Sequence, residues 1–551
     1  MWFIRLVMLT RPIATVTLTA LLWMGCSTTN VQSLSNGPPP PSPQFVGFDL
    51  GTSGVRVSVI QKQKQQHHPE TTADGTTELQ EVYSRAIPWK DGAFDDPNVW
   101  IESVESLLQD AKQALPNQSL ERIQSICVSG TSATCLLVNG KNVGKPSRTQ
   151  ARMYNYDVIA SAAGNSNNND PIHGVRAMEQ IRSFAPKQHT ALSATGSLAK
   201  LLSWHDEQPL QPGERLCHQA DYVALRLMSQ DKVCGKAPKD NERFVCSDWH
   251  NCLKLGYNVQ DLEWPTWLQD CLTSVGLDWE SVLPQTVVSP GEVMGVVSPD
   301  VARRLGLNQG TIVVGGTTDS NAAFLAATAQ DEVLPGTAVV SLGSTLAIKQ
   351  VSTTYVENAN VGVYSHRYPS SLLKKSGQEE EEESQEAWLV GGASNAGCAV
   401  LRQEQFSVEE LQELSSDIDP TKESSLDYYP LTRTGERFPV ADSNLQPLLE
   451  PQPDSRKDYL HGILQGISTV ECNGFRAMAE LGANPPQPQR IWTCGGGANN
   501  DVWTQMRQRR LREAFPRDNT HHHDDEELLH VSKAQNVEAS YGAAILASAP
   551  F

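Results

Sequence analysis

The chain is short of aromatic residues (7%) and of positive charge: 44 Lys and Arg stand against 63 Asp and Glu, a net charge of −19 over 551 residues. A nucleic-acid binder needs a basic face to displace counterions from phosphates, so this balance excludes that class. After the N-terminal segment no run is long and apolar enough to span a bilayer, and no stable membrane span is expected in the mature chain. Neither G-x-x-x-x-G-K-[ST] nor a strand-following G-x-G-x-x-G occurs; Gly140-Lys141 and Gly144-Lys145-Pro146 do not fit the first pattern. A P-loop site and a dinucleotide fold are therefore excluded. The 11 cysteines lack a repeating short spacing, and Cys246 and Cys252 have no second pair to complete a zinc site. All are read as reduced, mostly buried thiols, which suits a plastid stroma or the cytosol.

Acids are absent from residues 1–48, where Arg5 and Arg11 precede an apolar run from Ile13 to Met24 and a Ser/Pro-rich stretch ending in Pro38–Pro41. That is the pattern of a secretory signal or an organelle presequence; an uncleaved anchor is the alternative. Residues 1–43 are accordingly expected to be a targeting segment and linker, with plastid delivery favoured over the secretory route or the cytosol. The sequon Asn117-Gln118-Ser119 keeps the secretory route open. The Lys62–His68 run is read as a hairpin tip, and Ser376–Gln385 and Pro516–Leu529 as surface insertions. The run His521-His522-His523-Asp524-Asp525 is read as a solvated loop rather than a metal site, since nothing nearby fixes a coordination geometry.

What is present begins at Phe45. β-branched and aromatic residues flank Gly51-Thr52-Ser53-Gly54 and predict two strands joined by a tight turn, with Asp49 where the first strand ends. A carboxylate beside exposed N–H groups and hydroxyls suits a metal-bound polyphosphate. The design recurs from Thr337 to Ile348 around Gly343-Ser344-Thr345. Between the two lies Val313-Val314-Gly315-Gly316-Thr317-Thr318-Asp319, a buried-strand run that opens a helix. Thr318, Asp319 or Ser320 can cap that helix; the other reading makes Asp319 a general base at a cleft floor. Near the end, Ile491–Cys494 leads into Gly495-Gly496-Gly497-Ala498-Asn499, backbone bare enough for a flat base and its ribose to approach.

Asp49-Leu50-Gly51-Thr52-Ser53, Gly316–Asp319, Ser341–Thr345, Gly495–Ala498 and Glu538–Ala544, in that order, resemble the FGGY carbohydrate kinases. Within that family, Ser129–Cys135, Met153–Asp157, Trp388–Asn395 and Gly435-Glu436-Arg437-Phe438-Pro439 resemble the plant and cyanobacterial branch of xylulose-kinase-like D-ribulose kinases. The resemblance runs from Phe45 to the C-terminus. It implies an α/β, actin-like fold of two RNase H-like domains, 44–316 binding sugar and 317–551 binding ATP, with both ligands in the interdomain cleft. It implies Mg²⁺-dependent transfer of the ATP γ-phosphoryl group to a sugar hydroxyl. By position, Asp319 corresponds to the catalytic base and Asp49 to the acid that contacts sugar and, through water, the metal. Thr52 and Ser53 correspond to one phosphate clamp, Gly343, Ser344 and Thr345 to the other, and Gly495, Gly496, Gly497, Ala498 and Asn499 to the adenosine wall. Many xylulose kinases carry a Gln-Met-His-Gly type sugar loop where this chain has Thr131-Ser132-Ala133-Thr134, so Ser132, with Thr131 beside it, is expected to contact the sugar. D-Ribulose is the expected substrate, with D-xylulose and other polyols as alternatives. A catalytically silent sugar or nucleotide sensor and a partner-moving ATPase are the readings from other classes.

Overall fold

The computed structural model describes residues 42–63, 78–90, 93–139, 142–148, 150–160, 172–229, 233–235, 245–372, 386–516 and 529–551. The targeting segment up to Pro41, the hairpin tip from Lys64 onward, Ser376–Gln385 and the His521–Asp525 run lie outside them.

Two large mixed sheets organise the chain. Numbered along the sequence, the first holds β1 (Gln44–Leu50), β2 (Gly54–Gln63), β3 (Glu78–Pro88), β4 (Ile123–Gly130), β5 (Val293–Val296), β6 (Ile312–Val314) and β7 (Thr317–Thr318). Its order is β5-β6-β4-β1-β2-β3, with β7 also beside β4. The second holds β8 (Thr337–Leu342), β9 (Leu346–Ser352), β10 (Tyr364–Arg367), β11 (Trp388–Ala393), β12 (Arg490–Cys494) and β13 (His530–Lys533), in the order β10-β11-β9-β8-β12-β13. One plan is used twice: an antiparallel hairpin, β1–β2 or β8–β9, whose first strand pairs in parallel with a later strand, β4 or β12.

Every residue of β1 is buried, as a central strand covered on both faces requires. Its period-2 alternation divides it between two cores. Val46, Phe48 and Leu50 join Trp100, Val104, Leu107, Leu108 and Ala111 of the helix Pro97–Ala114, while Phe45 joins Ala543, Ala544 and Ala547 of the helix Ala539–Ser548. The first of these helices begins where Asp96 Oδ1 accepts the Asn98 N–H at 2.9 Å and Pro97 presets the first turn. The second packs so closely that a Cβ on Gly47 would lie 2.0 Å from the Ser540 carbonyl oxygen. Ser58 and Ser540 hydroxyls meet at 2.8 Å, 482 residues apart in sequence.

The same C-terminal helix packs against the helix Asp319–Ala327, where a Cβ on Gly542 would fall 1.8 Å from Ala322 O. Phe324 and Leu325 share an apolar cluster with Val339 of β8, Val351 of β9 and Leu389 of β11. This helical layer is therefore covered by both sheets, and the start of the helix Asp319–Ala327 lies between them. Among the described residues no helix is long and apolar enough to cross a membrane.

One expectation fails here. Cys234 and Cys246 form a disulfide, so the cysteines are not all reduced thiols, and the inference from them to a reducing compartment loses its support. Cys234 is held next to β5, its N–H donating to Met294 O, while Cys246 opens the short strand Cys246–Asp248; a spacing of 12 residues between loop and strand carries no recognisable motif. Among the described residues eight other cysteines are free thiols.

Candidate active site

The first hairpin turns through Gly51–Gly54, closed by the Gly51 N–H donating to Gly54 O at 3.0 Å. Trp89 clasps it from β3's end, Nε1 donating to Gly51 O at 2.9 Å and the backbone N–H to Ser53 O at 3.1 Å. Gly54 has no room for a Cβ, which would lie 2.2 Å from Ile87 O. Thr52 and Ser53 are thus displayed on a braced turn, both exposed. Register places Asp49 opposite Arg56 and beside Ser129. Ser129 Oγ donates to Asp49 Oδ1 at 3.0 Å, and Arg56 Nη1 lies 3.5 Å from Oδ2. Arg56 also pairs with Glu538 at 3.3 Å and reaches Ser53 Oγ at 3.5 Å.

Asp319 arrives by a different route. Gly316 lets the chain lie against β4, where a Cβ would be 2.3 Å from Val128 O, and β7 then pairs with Ser129 and Gly130. Asp319 starts the helix one residue later. Its Oδ1 accepts the Ser320 N–H at 2.7 Å, whereas Thr318, at the cap position, makes no side-chain capping bond. Lys349 of β9 donates from Nζ to Ser320 Oγ at 3.1 Å and to Asn321 Oδ1.

The two carboxylates share one electrostatic environment. Burial pushes Asp49 up to about 7, and the charge of Asp319 adds to that, against the Ser129 hydrogen bond and Arg56. Burial also raises Asp319, opposed by the Ser320 N–H, Lys349 and Lys254. Asp49 therefore keeps its proton in the folded protein up to about pH 7 and loses it near pH 4 when unfolded. Between those values the unfolded state binds fewer protons, so this group makes stability fall as pH rises through the window and stay lowered above it. Asp49→Asn should remove that loss: relative to the parent, its denaturation midpoint should rise progressively from pH 4 to 7, by the equivalent of up to about 4 kcal/mol, and level off above. Equal midpoints at pH 4 and pH 8 would show that the carboxyl is not desolvated.

The loop expected to meet the sugar is built from beneath. Thr131 is buried, its hydroxyl bonded to Thr134 Oγ1 at 2.6 Å and donating to Gln219 Oε1 at 3.2 Å. Thr131 therefore shapes the loop, and Ser132, half-buried, is the member with a side chain left to offer. Ala133 takes φ 64°, and the fully buried Lys200 donates to Ala133 O at 2.8 Å and Met153 O at 2.7 Å. Burial pushes Lys200 down to about 8.

At the second hairpin a cavity of about 660 Å³ opens beside Gly343 and Ser344, with Gly496, Gly497 and Asn499 on the opposing wall. Gly495, at φ 85°, and Gly497 sit against Leu342 and Trp503, so a Cβ at either would come within 2.5–2.7 Å of a neighbour. Gly496 faces open space. Gly495 and Ala498 lie behind the lining, Ala498 N–H donating to Gly495 O at 3.2 Å, and Thr345 is exposed outside it. Sequence reasoning misses the remaining wall: Arg402, whose Nη2 donates to Ser344 Oγ at 3.1 Å, Phe406, and the helix Val408–Ser416. Their apolar spacing is that of any amphipathic helix. Arg56, Lys254 and Lys349 are missed as well; only Arg56 leaves a signal, since counting back across the turn sets it opposite Asp49. Among the described residues no group of three or more His, Cys, Asp or Glu is placed to hold a metal ion.

No family model matches the chain. It is 21% identical over 483 residues to a xylulose kinase of Haemophilus influenzae, covering 84% of each chain. Among solved structures, a xyloylose kinase from Brucella ovis superposes with a TM-score of 0.64 at 18% identity, covering 92% of this chain and 90% of that one. A gluconate kinase from Lactobacillus acidophilus and the Plasmodium falciparum glycerol kinase with ADP each give 0.64 at 14% identity, covering 92% and 89%. At these identities what is shared is architecture: two mixed sheets with flanking helices, the actin-like, RNase H-like fold of these carbohydrate kinases.

Proposed function

We propose that the protein is an ATP-dependent carbohydrate kinase of the FGGY type whose acceptor is a ketopentose, D-xylulose being favoured by the names of its relatives. The observation that carries the reading is that Asp49 and Asp319, supplied by two different elements, lie near enough for the charge of Asp319 to act on Asp49, next to a braced hydroxyl turn. Residues 44–316 form the sugar half and 317–551 the nucleotide half, with the helix Ala539–Ser548 returning to the first sheet. D-Ribulose is the second reading, supported by the short hydroxyl side chains of Thr131–Thr134 in place of a bulkier sugar loop.

In this reading the adenosine enters the 660 Å³ cavity against Gly496 and Gly497, and the phosphates run toward Ser344, Thr52 and Ser53. Phosphoryl transfer has a loose transition state with charge on equatorial oxygens, so positioned donors supply most of the rate. Thr52, Ser53, Ser344 and the Arg56 guanidinium are those donors. Asp319 accepts the proton of the attacking hydroxyl; Ser132 and Asp49 orient the sugar. Asp49, a buried carboxylate beside the hydroxyl turn, would hold a hard divalent cation through water. Mg²⁺ bound there would neutralise charge on the phosphates. Closure of the two halves would exclude water, the competing acceptor.

A coupled ADP-release assay over D-xylulose, D-ribulose, L-ribulose, gluconate and glycerol tests the proposal. Sugar-dependent turnover is expected with a pentulose, at least tenfold above the no-sugar rate. Sugar and nucleotide binding by calorimetry without any turnover would replace the enzyme with the silent sensor.

A further inference from the structure

The second hairpin is joined tightly to the chain that follows β11. Gly397 lies so close to the turn that a Cβ there would be 2.6 Å from Thr345 Cα and 2.7 Å from Ser344 O. The next two residues complete the join: the Cys398 N–H donates to Gly343 O at 2.8 Å and the Ala399 N–H to Ser344 O at 3.2 Å. A short helix, Ala399–Gln403, starts there and carries Arg402 back to the hairpin, where its Nη2 donates to Ser344 Oγ at 3.1 Å. A guanidinium only donates, so Ser344 Oγ is the acceptor and its own hydrogen is left for another oxygen. The Gly343 and Ser344 carbonyls, meanwhile, face the start of that helix. Among the described residues no carboxylate pairs with Arg402: nearby Glu404 accepts the Tyr459 hydroxyl at 3.0 Å, and Glu410 is held by Arg456 at 3.0 Å. Arg402 is also the one cation among the described residues lining the 660 Å³ cavity, whose one acid, Asp501, belongs to the helix Asp501–Ala514. An unpaired guanidinium tethered to a hydroxyl in the wall of a cavity is arranged for an anion that arrives with the ligand. Its planar fork of donors suits the oxygens of a phosphate.

We propose that Arg402 is the residue by which this cavity recognises phosphate: its guanidinium and the Ser344 hydroxyl it orients together bind the polyphosphate of the nucleotide, so the site selects nucleoside di- and triphosphates over nucleosides. This rests on the nucleotide reading of the cavity given above. The test is calorimetric binding of ADP and of adenosine to the parent, Arg402→Gln and Arg402→Met, in EDTA so that the protein's own groups alone meet the phosphate charge, with denaturation midpoints on the same preparations. The parent should bind ADP more tightly than adenosine. Both variants should lose affinity for ADP by about tenfold or more, the range for a hydrogen bond to a charged group, and keep adenosine within about twofold of the parent. Loss of a structural contact would weaken the two ligands together, because the apolar and glycine walls would shift for both. Midpoints should stay near the parental value, as is usual for an exposed side chain; should one variant not fold, the other carries the comparison. Equal losses for ADP and adenosine, or unchanged ADP affinity in a folded variant, overturn this proposal alone, as does a parent that binds ADP no better than adenosine. A parent that binds neither compound overturns the nucleotide reading of the cavity and this proposal with it.

Discussion

Asp319→Asn should lower kcat by about 10²–10⁴-fold, the usual contribution of a positioned general base, while leaving ADP affinity within about twofold of the parent. The amide keeps the shape of the side chain and an oxygen for the Ser320 N–H, so the head of the helix need not move. What it cannot do is accept the hydroxyl proton. The nucleotide contacts should survive because the cavity is built from Gly343, Ser344, Phe406 and the Gly496–Asn499 segment, none of which hydrogen-bonds Asp319. Steady-state turnover together with ADP calorimetry separates the two effects. Parental kcat in the variant would remove Asp319 from the chemistry; a matching loss of ADP affinity would mean the substitution disturbs the whole cleft.

The second large effect is structural. Gly542→Ala should destabilise the protein by more than about 3 kcal/mol, beyond the usual range for adding one methyl group to a core. The new Cβ would sit 1.8 Å from Ala322 O and 2.6 Å from its carbonyl carbon, and both belong to the backbone of another helix. No rotamer change relieves that contact, so the helices Asp319–Ala327 and Ala539–Ser548 must separate. Because both sheets pack on that layer, the crevice should open with it, and turnover should fall alongside the denaturation midpoint. Gly496→Ala is the matched control for stability, as nothing lies within 4 Å of its added Cβ. Equal midpoints in the two variants would deny the helix contact.

The parts of this site that can be read from sequence are those that one local rule produces. A glycine-hydroxyl turn between β-branched runs marks Thr52, Ser53, Gly343 and Ser344, and a strand that ends in small residues before a helix marks Asp319. Long-range geometry decides the rest. Lys254 and Lys349 sit in unremarked segments and matter only because β9 and the chain after Trp249–Cys252 pass near the same helix. Thr131 and Ser132 look equivalent as adjacent hydroxyls; the strand pairing and Gln219 turn one inward. Phe406 and Arg402 come from stretches whose pattern says only that one face is buried. The Cys234–Cys246 pair depends on a loop and a strand that no spacing rule connects. The overall architecture is more legible, because the repeated hairpin-plus-parallel-strand plan is written twice in matching residues.

The return of the helix Ala539–Ser548 to the first sheet has a consequence for how the molecule is made. Strand β1 leaves the ribosome early, yet the residues that cover its Phe45 and Gly47 face emerge almost five hundred positions later. Contacts of such sequence separation form slowly, since a long loop must close before they reward the chain. Until then the first half presents an uncovered strand surface, the kind of patch that nascent chains lose to aggregation or lend to chaperones. A fragment ending before that helix would keep this surface permanently, so the two halves share one folding fate.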